Sequence, residues 1–460
     1  MAAALSACAG GPSASNPAAA DAPAQWQAPL PHRGEQAALG QWWRQFDDPL
    51  LVQFIEAAQS VSASVASAQS RIEQARATRV AAGAALLPAL DASAHASRGR
   101  PDLISPLATS ATAGVQASWE IDVFGGRRAA KSAAELRLTG AQAGWHDARV
   151  AVAAETATSY TALRACEAQL EQQRADTASR AQTARLTELS AKAGFEAPAS
   201  AALARASAAQ ANSLLTQRRA QCDTLVKALV ALTALPEPAL RGQLSSATAK
   251  VPQPAQLSVP AVPAQALAQR PDVFIAERDL LAASADVAQA RAQRWPSIRI
   301  GGSIGALRID SGTGGTDSGS VWSIGPISVT LPLFDGGTRR ANVDAAQARV
   351  DESAALYRAR LRTAVQEVEN ALVALQSTAD RAADARVASE GFAASLRATQ
   401  ARFSGGLASL FELEDARRSA VQAQVALIDL QRERSTAWID LYRALGGGWS
   451  AADVALAAQP

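Results

Sequence analysis

The residues that could carry chemistry in this 460-residue chain are few and poorly placed for it. Its three histidines, His32, His95 and His146, share no metal-ligand spacing, and none has a nucleophile or acid at a recognisable catalytic interval. No glycine-rich phosphate loop follows a strand-like run. The densest acid–base cluster is Leu410-Phe411-Glu412-Leu413-Glu414-Asp415-Ala416-Arg417-Arg418. On a helix its acids and bases stand three and four apart, and such pairs contribute only about 0.2–0.5 kcal/mol each. They order a helix face; they do not activate a substrate. Catalytic residues, cofactors and metal ligands are therefore not expected.

The three cysteines make no disulfide framework. Cys166 and Cys222 fall inside helical patterns, where a thiol reads as a small buried hydrophobe. Cys8 differs, because Leu5-Ser6-Ala7-Cys8 followed by Ala9-Gly10 resembles a bacterial lipobox, whose thiol receives diacylglycerol. The seven residues before it are too few for a charged segment plus an apolar one, which points to a start placed too late or a trimmed sequence.

The elements that must hold such residues are long. Net charge is only +2 with both signs mixed throughout, so no nucleic-acid footprint is visible. Aromatics are 5% against 48% apolar residues dominated by alanine, a composition of close-packed helices. No apolar run reaches the 18 or so residues of a spanning helix, so any spanning falls to strands.

After a flexible 1–25, a segment with Trp26, Trp42, Trp43 and Phe46 leads to a helical pattern from Leu50 to about Leu86, stopped by Pro88. The period then changes to two. Leu90, Ala92, Ala94 and Ala96 alternate with Asp91, Ser93, His95 and Ser97; Val115, Ala117, Trp119, Ile121 and Val123 alternate with Gln116, Ser118, Glu120 and Asp122. One wet face and one greasy face suit a water-filled barrel in lipid. Phe124-Gly125-Gly126 follows, then an unbroken helix over about 127–193 and a return helix over 199–235.

The succession recurs. Strand patterns lie near 296–334, with an exposed loop expected over Asp310–Ser320 and a bulge or bend at Gly325-Pro326. Phe334-Asp335-Gly336-Gly337 leads to a second long helix over 338–403, and a return helix spans 407–445. Some sixty-six residues make a helix of about 100 Å. Val343, Val350, Tyr357, Ala364 and Ala371 keep heptad spacing, as do Ala354, Leu361, Val368 and Leu375. Gly194 and Gly405-Gly406 stand where left-handed caps end the long helices. The chain thus divides into a leader remnant and tether (1–25), a first repeat (26–235), a Pro-rich linker (236–263), a second repeat (264–445) and a tail (446–460). Four strands close no lumen, whereas three copies supply twelve.

Arg270-Pro271-Asp272, Ala276-Glu277-Arg278 and Pro296-Ser297-Ile298 carry a resemblance to the TolC-like outer membrane efflux family. Trp42-Trp43…Phe46…Asp48-Pro49…Leu51, Tyr160…Leu163-Arg164, Leu441–Trp449 and the paired Phe-Gly-Gly turns extend it over roughly 26–450. The chain resembles the lipoprotein branch that serves RND-type pumps. The resemblance implies a mixed α+β membrane protein: a homotrimer with a twelve-stranded outer-membrane β-barrel continuing into a twelve-helix periplasmic α-barrel. Segments 26–46, 236–263 and 446–460 would girdle it. It implies lipid anchoring at Cys8 on the periplasmic side, and as partners a periplasmic adaptor and an inner-membrane RND pump, with drugs or other small molecules conducted passively.

The same resemblance places a constriction on the second return helix, with Phe411 and Asp415 lining it. Glu412 and Glu414 add to its field or turn toward Arg417 and Arg418. The first hairpin lacks the matching acid at Ala201-Ala202-Leu203-Ala204-Arg205, and Arg205 is expected to tether Asp415 or Glu414. Adaptor docking falls to Gly194, Phe195, Glu196, Gly405, Gly406 and Leu407. Arg127-Arg128 and Arg339-Arg340 read as anchors at the membrane interface. Two other readings are a conduit for an ABC-driven type I secretion system and a non-conducting envelope-spanning coiled coil.

Overall fold

The computed structural model describes residues 27–28, 39–100, 107–254, 267, 270–311 and 314–449. The whole 1–25 tether with Cys8, Trp26, the 255–263 part of the linker and the 450–460 part of the tail lie outside the described residues. The chain forms two units. One takes the described residues of Met1–Ser67, Trp145–Val273 and Arg360–Pro460, the other those of Ala68–Gly144 and Phe274–Ala359.

The second unit holds the sheet. Strands β1 (Ala89–Gly99), β2 (Ala108–Ile121), β3 (Ser297–Ser311) and β4 (Gly315–Thr330) pair antiparallel in the order β1-β2-β3-β4. Register sorts the alternating residues into rows. Asp91, Gln116, Ser303 and Ser323 stand side by side across the four strands, and so do Ala92, Val115, Ile304 and Trp322. The polar row binds itself, with Ser303 and Ser323 hydroxyls 2.9 Å apart. The apolar row stays open: Ile304, Trp322, Ile324, Ile327 and Val329 are all exposed.

Two details follow from the register. Ile300 pairs with Ile327 but Gly302 with Ile324, so one extra residue bulges β4 at Gly325-Pro326, where the alternation shifts. Gly114 and Gly305 are cross-strand partners, and a Cβ on either would meet the opposite backbone at 2.7 or 2.6 Å. Only glycine lets the strands approach this closely.

The expected Asp310–Ser320 loop is largely absent. Asp310 pairs with Thr316, Ser311 with Gly315 and Ala306 with Ser320, so the strands run almost to the turn at Gly314. Cross-strand pairing overrides a turn-rich composition here. Asp122 also departs from its place on the wet strand face. Its carboxylate accepts from the Arg127 and Arg128 amides at 3.0 and 2.9 Å and so starts helix α3 (Gly126–Lys192). Asp335 does the same for helix α7 (Thr338–Ser404), accepting from the Gly337 and Arg339 amides at 3.0 and 3.1 Å.

The helical region between Pro49 and Ala84 is two helices, not one. Helix α1 (Pro49–Val61) is capped by Asp48 and ends at an extended Ser62, after which α2 (Ala63–Ala84) begins. The first unit packs α1 against α3, its return helix α4 (Pro198–Thr233) and the second return helix α8 (Leu410–Ala444). Trp42, Phe54, Tyr160, Leu163, Leu229, Leu372 and Leu441 form one buried cluster. Its short helix α5 (Glu237–Leu244) lies inside the stretch read as linker, and Leu240 is fully buried in the same cluster.

Cys166 of α3 and Cys222 of α4 are joined as a disulfide, which corrects their reading as separate buried thiols. Both are buried, as their helical surroundings imply, but hairpin return sets them opposite one another across 56 residues. Arg270 explains the Arg-Pro-Asp motif at the start of α6 (Pro271–Ala292). Its fork grips both Asp272 oxygens at 2.9 and 2.7 Å, reaches Glu367 of α7 at 2.6 Å and donates to the last-turn carbonyl of Ala444 at 2.8 Å.

Candidate gate

The candidate gate residues belong to the first unit, at the ends of its two helical hairpins. Both turns are Schellman motifs. Phe195 N–H reaches Ser190 carbonyl at 2.9 Å and Gly194 reaches Ala191 at 3.1 Å, with Gly194 at φ 79°. Leu407 reaches Arg402 at 2.8 Å and Gly406 reaches Phe403 at 3.0 Å, with Gly406 at φ 73°. The side chains of Phe195 and Leu407 are left largely in solvent, one at each turn. Glu196 is exposed beside Phe195.

Helix α8 starts from a capping box. Ser409 Oγ accepts from Glu412 N–H at 3.2 Å, and the Glu412 carboxylate accepts from Ser409 N–H at 2.8 Å. Glu412 is therefore spent on the helix start. One turn on, α8 divides its residues between two faces. Leu410, Leu413 and Arg417 are buried, while Phe411 is 69% exposed and the Asp415 side chain 64%. Phe411 and Asp415 stand four apart, hence one above the other on the open face. Among the described residues, Asp415 is ion-paired with the similarly exposed Arg418, at 3.3 Å.

The buried face carries a charged network instead. Glu414 pairs directly with Arg180 of α3 and accepts from Arg417 Nη1 at 2.8 Å and from Ser207 Oγ of α4 at 2.7 Å. Arg180 is also held by Asp176 at 2.8 Å, and Arg417 donates to Ser179 and Thr183 hydroxyls at 2.8 Å each. Two guanidinium groups and two carboxylates thus sit among hydroxyls in a largely buried site, with every charge compensated. The ring binds α8 to α3 and α4, one hairpin to the other.

Arg205 does not take the tethering role expected of it. It is exposed on α4, and Arg180 occupies the place beside Glu414. Periodicity misses Arg180, Ser179 and Thr183 because they lie more than two hundred residues from α8. The Asp176–Arg180 pair, four apart on α3, and the Glu414–Arg417 pair, three apart on α8, are local traces of the network.

At the strand ends, Arg127 is engaged with Glu120 at 2.9 Å and with the Ala85 carbonyl at 3.0 Å, and Arg339 with Asp335 at 2.9 Å. No described helix is long and apolar enough to cross a membrane.

Comparison with known proteins adds a family. A model described as Outer membrane efflux protein matches residues 54–235 and 262–447. The chain is 30% identical over 453 residues to outer membrane protein OprJ of Pseudomonas aeruginosa, spanning 97% of this chain and 94% of that protein. It is 30% identical over 418 residues to the toluene efflux pump outer membrane protein TtgI of Pseudomonas putida, spanning 88% and 87%. Among solved structures, the outer-membrane channel OprN superposes with a TM-score of 0.83 at 26% identity, covering 93% of this chain and 97% of that one. The outer membrane protein VceC of Vibrio cholerae superposes with a TM-score of 0.78 at 26% identity, covering 90% and 100%.

Proposed function

Since the chain belongs to the outer membrane efflux protein family, we propose that it is the outer-membrane conduit of an RND-type tripartite efflux system. It passively conducts drugs or other small molecules that a pump and a periplasmic adaptor deliver. The observation that carries this reading is the sheet. Four strands present one polar row and one exposed apolar row, and β1 and β4 keep their outer edges unpaired among the described residues. An apolar face beside open edges is stable in lipid only when other strands close the sheet. Three copies supply twelve strands, wide enough for a wet lumen.

The succession of strands, long helix and return helix, met twice in the chain, supports duplication of one hairpin-bearing unit. In the trimer, three Phe411 rings and three Asp415 carboxylates form the constriction, where apolar and charged rings oppose the passage of water and ions. The Arg180–Glu414–Arg417 network is the latch that holds α8 in the closed position. The exposed turns at Gly194, Phe195 and Glu196 and at Gly405, Gly406 and Leu407 receive the adaptor. Lipidation of Cys8 adds an anchor at the periplasmic side of the outer membrane.

Detergent-purified protein should be trimeric by light scattering and should form discrete channels in planar bilayers. A monomer that stays soluble without detergent overturns the reading.

A further inference from the structure

Where β2 and β3 run out, a cleft of about 480 Å³ opens within the sheet-bearing unit. Arg127, Arg299 and Arg339 line it together with Glu120. Arg127 Nη2 and Arg299 Nε both donate to the same Glu120 oxygen, at 2.9 and 3.0 Å. One carboxylate therefore serves two guanidinium groups. Asp122, the other acid lining the cleft, is already taken by Arg128 and by the start of α3. The surplus charge rests on Arg299. Its side chain is 66% exposed, and its terminal nitrogens make no hydrogen bond among the described residues.

Beside this charge the rings of Phe124 and Trp295 lie stacked, 5.5 Å apart and 12° from parallel, and both remain substantially exposed. The cleft thus joins a forked cation, suited to a phosphate, to a flat apolar platform suited to hydrocarbon. Neither half explains the other. A bare anion would leave the rings wet, and a neutral apolar molecule would leave the fork unused.

We infer that the cleft binds a single anionic phospholipid, its phosphate on Arg299 and its glycerol and upper acyl carbons over Phe124 and Trp295. The shared chemistry is that of any anionic amphiphile. The bilayer is the source because the cleft adjoins the ends of the exposed apolar strand face, near Ile121 and Thr330. This inference rests on the membrane reading of the sheet.

The test is native mass spectrometry of the intact, detergent-purified assembly. It is titrated with phosphatidylglycerol, with phosphatidylcholine of the same acyl chains, and with inorganic phosphate as competitor. Phosphatidylglycerol should be retained at about tenfold lower concentration than phosphatidylcholine, equivalent to about 1.4 kcal/mol. Arg299→Gln should abolish that preference, whereas Arg308→Gln, near the far end of β3 and outside the cleft, should keep it. Phe124→Ala with Trp295→Ala should weaken retention of both lipids. Equal retention of the two lipids overturns the inference, and so does a preference that survives Arg299→Gln. Full displacement by millimolar phosphate also overturns it, since the site would then read an anion alone. Bilayer conductance of the same preparation reports separately on the conduit: a conducting assembly without lipid preference fails this inference only.

Discussion

Arg180 and Glu414 are ion-paired directly between α3 and α8, although 234 residues separate them in the chain. Both side chains are largely buried, and Ser207 and Arg417 complete the coordination of the carboxylate. The two hairpins are thus fastened by a charge pair beside a small apolar contact of Ala184, Ala204 and Leu410. Fasteners of this kind release cleanly when one partner is neutralised.

Glu414→Gln should therefore loosen the hairpin ends. Removing one member of a buried pair leaves the others uncompensated and costs on the order of 3 kcal/mol. Single-channel recordings should show longer and more frequent openings, and Arg180→Ala should behave alike. Channels as tightly shut as the unmodified ones would sink the latch. Arg205→Ala serves as a control and should leave closure intact.

The open face of α8 makes a separate prediction. Phe411→Ala combined with Asp415→Ala removes the proposed constriction without touching the buried network. Conductance should rise while thermal stability stays within about 0.5 kcal/mol of the parent, as expected of exposed positions. Unchanged conductance would reject these two residues as the gate and spare the conduit.

Joining Cys166 to Cys222 closes a loop across a sequence separation of 56 residues. Cys166→Ser with Cys222→Ser should lower stability by about 2–4 kcal/mol, seen as an earlier melt in detergent. Reductant should bring the parent to the same melting point. A parent indifferent to reductant would show that the thiols are not joined.

Stability should also follow the charge of Asp272. Burial opposes its ionised form, but the hydrogen bonds and charge of Arg270 outweigh that and hold its pKa below the ordinary 3.8. A carboxyl with a depressed pKa stabilises the fold fully above the unfolded-state value and loses that contribution as pH falls through the lower, folded-state one. The stability gap between the parent and Asp272→Asn, measured by urea melts, should be constant near neutrality and narrow below about pH 4. A gap indifferent to acid would contradict the clasp.

Gly447 sits at φ +63°, and a Cβ there would lie 2.3 Å from Val150 Cγ2 and 3.0 Å from the Tyr442 hydroxyl. Gly447→Ala should cost about 1–3 kcal/mol in thermal or urea melts. A neutral substitution would mean that the Gly-Gly-Gly turn is not fixed against α3.

Much of this was legible in the residues. Alternation placed β1 to β4, unbroken alanine-rich runs placed α3 and α7, and Gly194 and Gly406 ended them in left-handed caps. These are local signals, each carried by neighbours in the chain. What escaped was non-local. Cross-strand pairing turned the Gly- and Ser-rich stretch after Asp310 into strand, and hairpin return brought Cys166 to Cys222. Glu414 looked equivalent to Glu412 along the sequence, and the family resemblance alone set Asp415 apart. The fold gave each a different partner: a helix cap for Glu412, a buried charged network for Glu414, and solvent with Arg418 for Asp415.

The cystine between α3 and α4 also dates the molecule. Such a bond forms where thiols are oxidised and not in a reducing cytosol, so a chain still awaiting export carries Cys166 and Cys222 as free sulfhydryls and a delivered one carries them joined. Alkylating denatured cell extracts and counting the tagged Cys166 and Cys222 would turn the molecule into its own record of arrival.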